Sequence, residues 1–339
     1  MNNFNYLRPA DLQEAVSELV KDTTTQVLAG GTNIIDLWKY DLTNFTSLVD
    51  INSLKEFSGI EELPDGGLRI GALMKNSDTA YHHLIEQNYP LLSKAILAGA
   101  SAQIRNMASN GGNLLQRTRC YYFYDKDTAC NKRNPGSGCS ALTGHNRIMA
   151  ILGTSESCIA VFPSDMCVAL AALDAHVNLT GPNGPRSIDI RDFHRLPGDT
   201  PDKDNNLQQG EIITGIDLPQ KCFSANYSYL KIRDRSSYAF ALISVATAFI
   251  LEDNMISEAR IALGGVAHKP WRVVEAEDFL KQKSATPENF AAAADIILAG
   301  AKGYEHNTFK IPLAKKAIIR NCLMALTPES QLPGAKPSK

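Results

Sequence analysis

The sequence predicts an α/β fold followed, past a domain boundary, by two strands and a helical end. Three observations carry this. Residues 1–51 alternate strand, loop and helix. Two hairpin signals follow. A strand closed by Pro219 then separates this part from a run of strands and a helical end.

The chain has 339 residues, 44% hydrophobic and 21% charged. At roughly 150 residues per domain, that length holds two or three domains. The apolar content suffices for a core and excludes intrinsic disorder. A net charge of −2 excludes a global binder of nucleic acid or of anionic membrane. No apolar run approaches the roughly 18 residues of a membrane helix, so no membrane insertion is expected. Met1-Asn2-Asn3-Phe4-Asn5-Tyr6 has neither the basic region nor the apolar stretch of a signal peptide, so no export signal of its own is expected.

Leu12, Ala15, Val16, Leu19 and Val20 recur at helical spacing, which predicts an amphipathic helix over residues 11–20, entered just after Pro9. Residues 26–29 read as a buried strand ending in Gly30-Gly31-Thr32-Asn33, with a helix from Ile34 and a further strand over 46–51. Residues 60–63 and 68–72 flank Pro64-Asp65-Gly66-Gly67, and residues 177–180 and 187–190 flank Gly181-Pro182-Asn183-Gly184. Both patterns predict hairpins. Helical stretches at 90–100 and 165–173 enclose an irregular segment, 113–158, rich in Cys, Asn, Arg and Gly. Residues 197–210 read as a loop and 211–218 as a strand, with a domain boundary near Pro219. Beyond it, strands over 238–251 and 255–263 meet at an Asp253-Asn254 turn. Thr286 caps a helix with Pro287 at its first position, and residues 313–325 form a last apolar-faced helix.

A strand, then Ala29-Gly30-Gly31-Thr32-Asn33, then a helix is a design that cradles phosphate: glycines admit the ligand, backbone N–H groups converge on it and the helix dipole assists. Alone it is also an ordinary strand-to-helix turn. Ser109-Asn110-Gly111-Gly112-Asn113 repeats the chemistry, and two such loops can grip the two ends of a pyrophosphate, which points to a dinucleotide cofactor. Neither the Rossmann fingerprint nor a P-loop is present.

Of seven cysteines, Cys120, Cys130, Cys139 and Cys158 cluster with the spacing C-x9-C-x8-C-x18-C. Zinc knuckles and low-potential ferredoxin motifs are tighter. A long loop around one cubane cluster accommodates these gaps; zinc and four unrelated thiols stay open. Residues 105–147 carry seven basic and two acidic side chains, a local charge that favours thiolates. Gly136-Ser137-Gly138 offers amides to cluster sulfurs, and Tyr121-Tyr122-Phe123-Tyr124 either shields a cluster or packs a core. Cys167, just inside a helix, reads as a packed thiol; Cys222 and Cys322 read as inert.

These residues carry a resemblance. The two glycine loops, Pro163-Ser164-Asp165, Gly210-Glu211-Ile212-Ile213 and Lys231 within Tyr229-Leu230-Lys231-Ile232-Arg233 make the chain similar to the FAD-binding subunits of the molybdenum hydroxylase (xanthine dehydrogenase and carbon monoxide dehydrogenase) family. The cysteine segment resembles that of the FAD/[4Fe–4S] subunit of bacterial periplasmic aldehyde oxidoreductases, and the hydroxybenzoyl-CoA reductase flavoprotein has a comparable insertion. The resemblance implies a two-lobed FAD-binding domain of the vanillyl-alcohol-oxidase type over residues 1–220, with lobes of about 1–55 and 56–220. It implies a C-terminal unit over 221–330, a small antiparallel sheet with helices of the CO dehydrogenase flavoprotein type. Val27, Leu28, Ala29, Gly30, Gly31, Thr32, Asn33 and Ile34, with Ser109, Gly111, Gly112 and Asn113, would hold FAD at its pyrophosphate. Asp165 would contact the ribityl or adenosine side, Lys231 would lie near the flavin, and Tyr238 would pack where a nicotinamide otherwise stacks. Cys120, Cys130, Cys139 and Cys158 would ligate one [4Fe–4S] cluster, with Cys167 as the reserve for Cys158.

The implied function is electron transfer within a molybdenum-containing aldehyde oxidoreductase. A large molybdenum-cofactor subunit and a small [2Fe–2S] subunit would complete a heterotrimer or a dimer of heterotrimers. Electrons would pass through the [4Fe–4S] cluster to FAD and on to an acceptor other than NAD. No catalytic acid, base or nucleophile is then needed, and all seven histidines read as structural. Location would be the periplasm, by co-export with a partner bearing a twin-arginine signal, or the cytoplasm. The alternatives are a stand-alone FAD-dependent oxidase, a flavoprotein subunit of a hydroxybenzoyl-CoA-reductase-like or xanthine-dehydrogenase-like enzyme, and a zinc-stabilised scaffold.

Overall fold

Asp11 starts the first long helix, Leu12–Lys21, by accepting the Glu14 N–H at 2.8 Å. Ala15, Val16 and Leu19 of that helix are buried against a three-stranded parallel sheet of order β1-β3-β2: β1 (Asn5–Leu7), β2 (Gln26–Leu28) and β3 (Ser47–Asp50). The structure is a computed structural model that describes residues 3–220 and 223–331; Cys222 lies outside the described residues.

A second, antiparallel sheet has the order β4-β5-β8-β6-β7: β4 (Ile60–Glu62), β5 (Leu68–Gly71), β6 (His176–Gly181), β7 (Gly184–Asp189) and β8 (Ile212–Leu218). Both predicted hairpins form. The β6–β7 pair is longer than expected because Gly181 pairs with Gly184 and leaves only Pro182-Asn183 in the turn. The helices Pro90–Ala98 and Asp165–Ala172 pack with this sheet in the largest core.

The third sheet holds β9 (Asn226–Ile232), β10 (Ile243–Glu252), β11 (Met255–Gly264), β12 (Trp271–Arg272) and β13 (Lys283–Ser284), all antiparallel. Asp253 and Asn254 both take positive φ, the turn that matches the twist of a two-residue hairpin. The helices Val274–Leu280, Pro287–Ile297 and Lys310–Ala325 cover this sheet. Among the described residues no helix is long and apolar enough to cross a membrane.

Three expectations change. Residues 238–242 are loop, not the start of β10: Tyr238 sits at φ 49°, where a strand cannot continue. Residues 110–114 are a helical turn, Asn110–Leu114, not an open loop, because the Ser109 hydroxyl accepts the Gly112 N–H. Strand β9 escaped the periodicity reading; its Tyr, Ser, Leu and Lys residues give neither a clean alternation nor an apolar run.

Residues 115–158 form only one short helix, Tyr121–Tyr124, so their backbone needs partners elsewhere. The third sheet's flank supplies several. Ile151 and Leu152 N–H donate to the Val266 carbonyl at 2.9 and 3.0 Å, Phe162 N–H to Ala267 at 3.0 Å, and Lys302 N–H to Ile151 at 2.8 Å. Lys310, with 0% exposure, donates Nζ hydrogen bonds to the carbonyls of Met149 at 2.7 Å and Gly265 at 2.6 Å. Lys310→Met is expected to lower the unfolding free energy by about 2–4 kcal/mol, read as a lower urea midpoint, because both buried carbonyls lose their Nζ donor.

Candidate functional site

One cavity of about 1100 Å³ opens between the three sheets. Val27, Ala29, Gly30, Gly31, Thr32, Asn33, Ile34, Ser109, Gly111, Gly112, Asn113, Asp165, Lys231 and Tyr238 all line it. Leu28 is outside the lining: its carbonyl accepts the Ile51 N–H at 3.0 Å and holds the sheet.

The two glycine turns touch and differ. A Cβ on Gly30 would overlap the Met107 carbonyl, so only glycine lets the segment before the second turn pack against the first. Gly31 lies at φ 73°, the left-handed region. The backbone N–H groups of Gly30, Gly31, Thr32 and Asn33 make no hydrogen bond to another described residue. Asn33 Oδ1 accepts the Arg117 N–H at 3.0 Å, while its buried Nδ2 has no partner among the described residues. In the second turn the amides are spent. Asn110 N–H donates to Met74, Gly111 N–H to Ala72, Gly112 N–H to Ser109 Oγ and Asn113 N–H to the Ser109 carbonyl. The second turn therefore contributes close backbone approach, and the first contributes free donors.

Asp165 is the first residue of its helix, set by Ser164 Oγ accepting the Cys167 N–H at 3.1 Å. Its Oδ2 meets Lys231 Nζ at 2.7 Å, and its Oδ1 accepts from the Tyr229 hydroxyl at 2.6 Å. The side chains of Lys231 and Asp165 are 5% and 9% exposed. Tyr229 and Lys231 share a face because residues two apart on a strand do. Burial raises the Tyr229 pKa well above its ordinary value, so the hydroxyl stays a donor. Tyr238 is exposed at the cavity rim, held by Arg235, whose Nε donates to its carbonyl at 2.9 Å.

A second, small cavity is lined by Cys120, Cys130, Cys139 and Cys158 together with Phe123 and Lys132. Cys120 lines both cavities. The described cysteines are free thiols. Cys130 and Cys139 face each other across a β-bridge. Cys167 is in the core helix with 0% exposure, away from this cavity, and Cys322 is equally buried in the third sheet's core. The amides of Ser137 and Gly138 are engaged within the loop, with Asn134 and Asn131. The sulfur-directed amides come instead from Ala141, Ile159 and Leu142 for Cys139, from Phe123 and Tyr122 for Cys120, and from Ala160 for Cys158. A hydrogen bond from Cys158, with those amides, pulls the Cys139 pKa down to about 6; burial pushes Cys120 up to about 12. Among the described residues, no three His, Cys, Asp or Glu side chains are arranged to hold a single metal ion.

The aromatic run divides. Phe123 is buried at the cysteine cavity, Tyr121 is exposed beside the large one, and the Tyr124 hydroxyl donates to Asp36 at 2.9 Å. Lys132 is 4% exposed; its Nζ meets Asp204 Oδ1 at 2.5 Å, and Arg117 takes Oδ2 at 2.7 Å. Burial opposes the charge of Asp204, yet Lys132 and Arg117 hold its pKa below the ordinary carboxylate value. His268, also buried, brings Nε2 to 3.3 Å from Cys158 Sγ. The sequence reading missed Tyr229, Lys132, Asp204 and His268. Strand alternation from Lys231 could have found Tyr229; no local signal joins Lys132 to Asp204 or His268 to Cys158. Lys231→Met should destabilise the chain by about 3 kcal/mol in urea unfolding, since Asp165 loses its buried counter-charge.

Residues 2–221 match the family described as the FAD binding domain in molybdopterin dehydrogenase, and residues 228–308 match the CO dehydrogenase flavoprotein C-terminal domain. The chain is 47% identical over 319 residues to the aldehyde oxidoreductase FAD-binding subunit PaoB of Escherichia coli, covering 94% of this chain and 96% of that one. It is 29% identical to the glyceraldehyde dehydrogenase medium chain of Sulfolobus acidocaldarius, over 81% of this chain and 79% of the other. Among solved structures, carbon monoxide dehydrogenase from Hydrogenophaga pseudoflava aligns with a TM-score of 0.74 at 25% identity, covering 96% of this chain and 97% of that chain. By the family match and the first of these relatives, the chain belongs to the FAD-binding subunits of the molybdenum hydroxylase family.

Proposed function

We propose that this chain is the electron-transferring FAD subunit of a molybdenum-containing aldehyde oxidoreductase, with FAD in the large cavity and a [4Fe–4S] cluster on Cys120, Cys130, Cys139 and Cys158. The observation that carries it is Cys120, which forms part of the wall of both cavities. The names of the relatives support the aldehyde: the Escherichia coli and Sulfolobus proteins act as aldehyde oxidoreductase and glyceraldehyde dehydrogenase subunits. On this reading the chain divides into an FAD-binding part over residues 1–220 and a C-terminal part over 221–330. It works beside a large molybdenum subunit and a small [2Fe–2S] subunit.

The residues fit both groups. Unspent amides on residues 30–33 and the unpartnered Asn33 Nδ2 are donors that suit a pyrophosphate. A cubane takes one thiolate per iron, so its ligands surround a volume rather than converge on a point. Four thiols around one small cavity, with amides on three sulfurs and the Lys132 ammonium alongside, have that character. When bound, FAD supplies a two-electron acceptor and the cluster a one-electron carrier. Gly30, Gly31, Gly111 and Gly112 admit the dinucleotide, Lys231 offers positive charge backed by Asp165, and Tyr238 covers the rim. No residue of the chain is asked to act as an acid, a base or a nucleophile.

Anaerobically purified chain should show flavin bands and a broad iron–sulfur shoulder that bleaches with dithionite, with iron and sulfide in equal amounts. Cys120→Ser, Cys130→Ser, Cys139→Ser and Cys158→Ser should each lose iron while FAD is retained. Flavin with zinc, or with no iron, would overturn the cluster; turnover of aldehydes by the isolated chain would favour a self-contained oxidase. The assembled enzyme should reduce NAD poorly and a one-electron dye well, and Tyr238→Ala should raise the NAD rate. Fast NAD reduction by the unmodified enzyme would remove the role given to Tyr238.

A further inference from the structure

We propose that His268 is a positioning residue of the cysteine site: its Nε2–H hydrogen-bonds the Cys158 sulfur and raises the reduction potential of the cluster held there. The inference rests on the cluster reading above and adds a residue from outside the cysteine segment.

The ring is placed by the fold rather than by its own flexibility. His268 follows Val266 and Ala267, which are almost fully buried and whose carbonyls accept the N–H groups of Ile151, Leu152 and Phe162. Those acceptors grip the chain on both sides of Cys158, with Ala150 N–H also donating to the Ile159 carbonyl at 2.8 Å. Lys310 ties the Gly265 carbonyl to that of Met149. Both ends of the Nε2···Sγ contact, 3.3 Å long, are thus anchored in one backbone network.

The direction of the hydrogen bond follows from chemistry. A cysteine that ligates iron is a thiolate and has no hydrogen to give, so the imidazole must be the donor. The rest of the ring agrees. Nδ1 is buried with no partner among the described residues. With the hydrogen on Nε2, Nδ1 is an unused acceptor. With the hydrogen on Nδ1, a donor would be stranded, which costs more. An N–H aimed at a ligand sulfur stabilises the more negative, reduced form of a cluster, so its removal lowers the potential.

The test is a potentiometric titration of the full chain, followed by the EPR signal of the reduced cluster, with iron and FAD content measured on the same samples. His268→Leu removes the donor; His268→Gln restores an N–H near the Nε2 position. At unchanged iron and FAD, the Leu variant should shift to lower potential and the Gln variant should recover most of the shift. An unshifted Leu variant with full iron, or a Gln variant shifted as far as Leu, overturns the proposal. If Leu loses its cluster, the Gln variant decides alone: an unmodified potential supports the donor, a lowered one overturns it. Iron missing from the unmodified chain would instead sink the cluster reading, which separates the two failures.

Discussion

Lys310 carries an ammonium into a place without exposure, and burial lowers its pKa to about 7. Such a group is tolerated only if its hydrogens are used, and they are, on the carbonyls of residues 148, 149 and 265. Those carbonyls belong to two stretches that are 116 residues apart in the chain at Met149 and Gly265, one from the cysteine segment and one from the third sheet. The Lys310 clamp, with the backbone bonds beside it, gives an otherwise irregular segment a fixed address. The cysteine cavity, its shared wall with the large cavity and the His268 contact all follow from that placement.

The two glycine turns show how similar sequences acquire different duties. Both carry paired glycines with an Asn within two residues, yet one keeps its amides open and the other consumes them in its own helical turn and in strand β5's following residues. Ser109 makes the difference, because as a cap it commits residues 110–114 to a helix. Thr32 and Asn33 make no equivalent side-chain cap for the helix Ile34–Lys39. On the proposed reading, what would suit the first turn to an anion is the bonds it leaves unmade as much as its glycines.

Much of this was legible in the sequence where local rules decide. The Leu12–Lys21 helix announced itself by apolar spacing and the Asp11 cap, the β10–β11 hairpin by Asp253-Asn254, and the cavity walls by the glycine pairs. The failures have a common cause. Strand β9, the loop position of Tyr238, and the contacts of Lys132 and His268 are settled by partners far away in sequence, through burial and pairing that no window of residues contains. The four clustered thiols were visible as a group, but their common cavity was not, because the intervening gaps of nine, eight and eighteen residues set no geometry of their own.

The dependence of residues 149–162 on residues 265–268, 302 and 310 also has an order in time. A ribosome releases the cysteine segment well before the residues that hold it. The nascent chain therefore exposes four thiols beside an unfinished wall until the last long helix emerges. On the proposed reading, loading of the cysteine site would follow synthesis of nearly the whole chain, and a truncation that removes only the final helix would unseat a segment that lies in the first half.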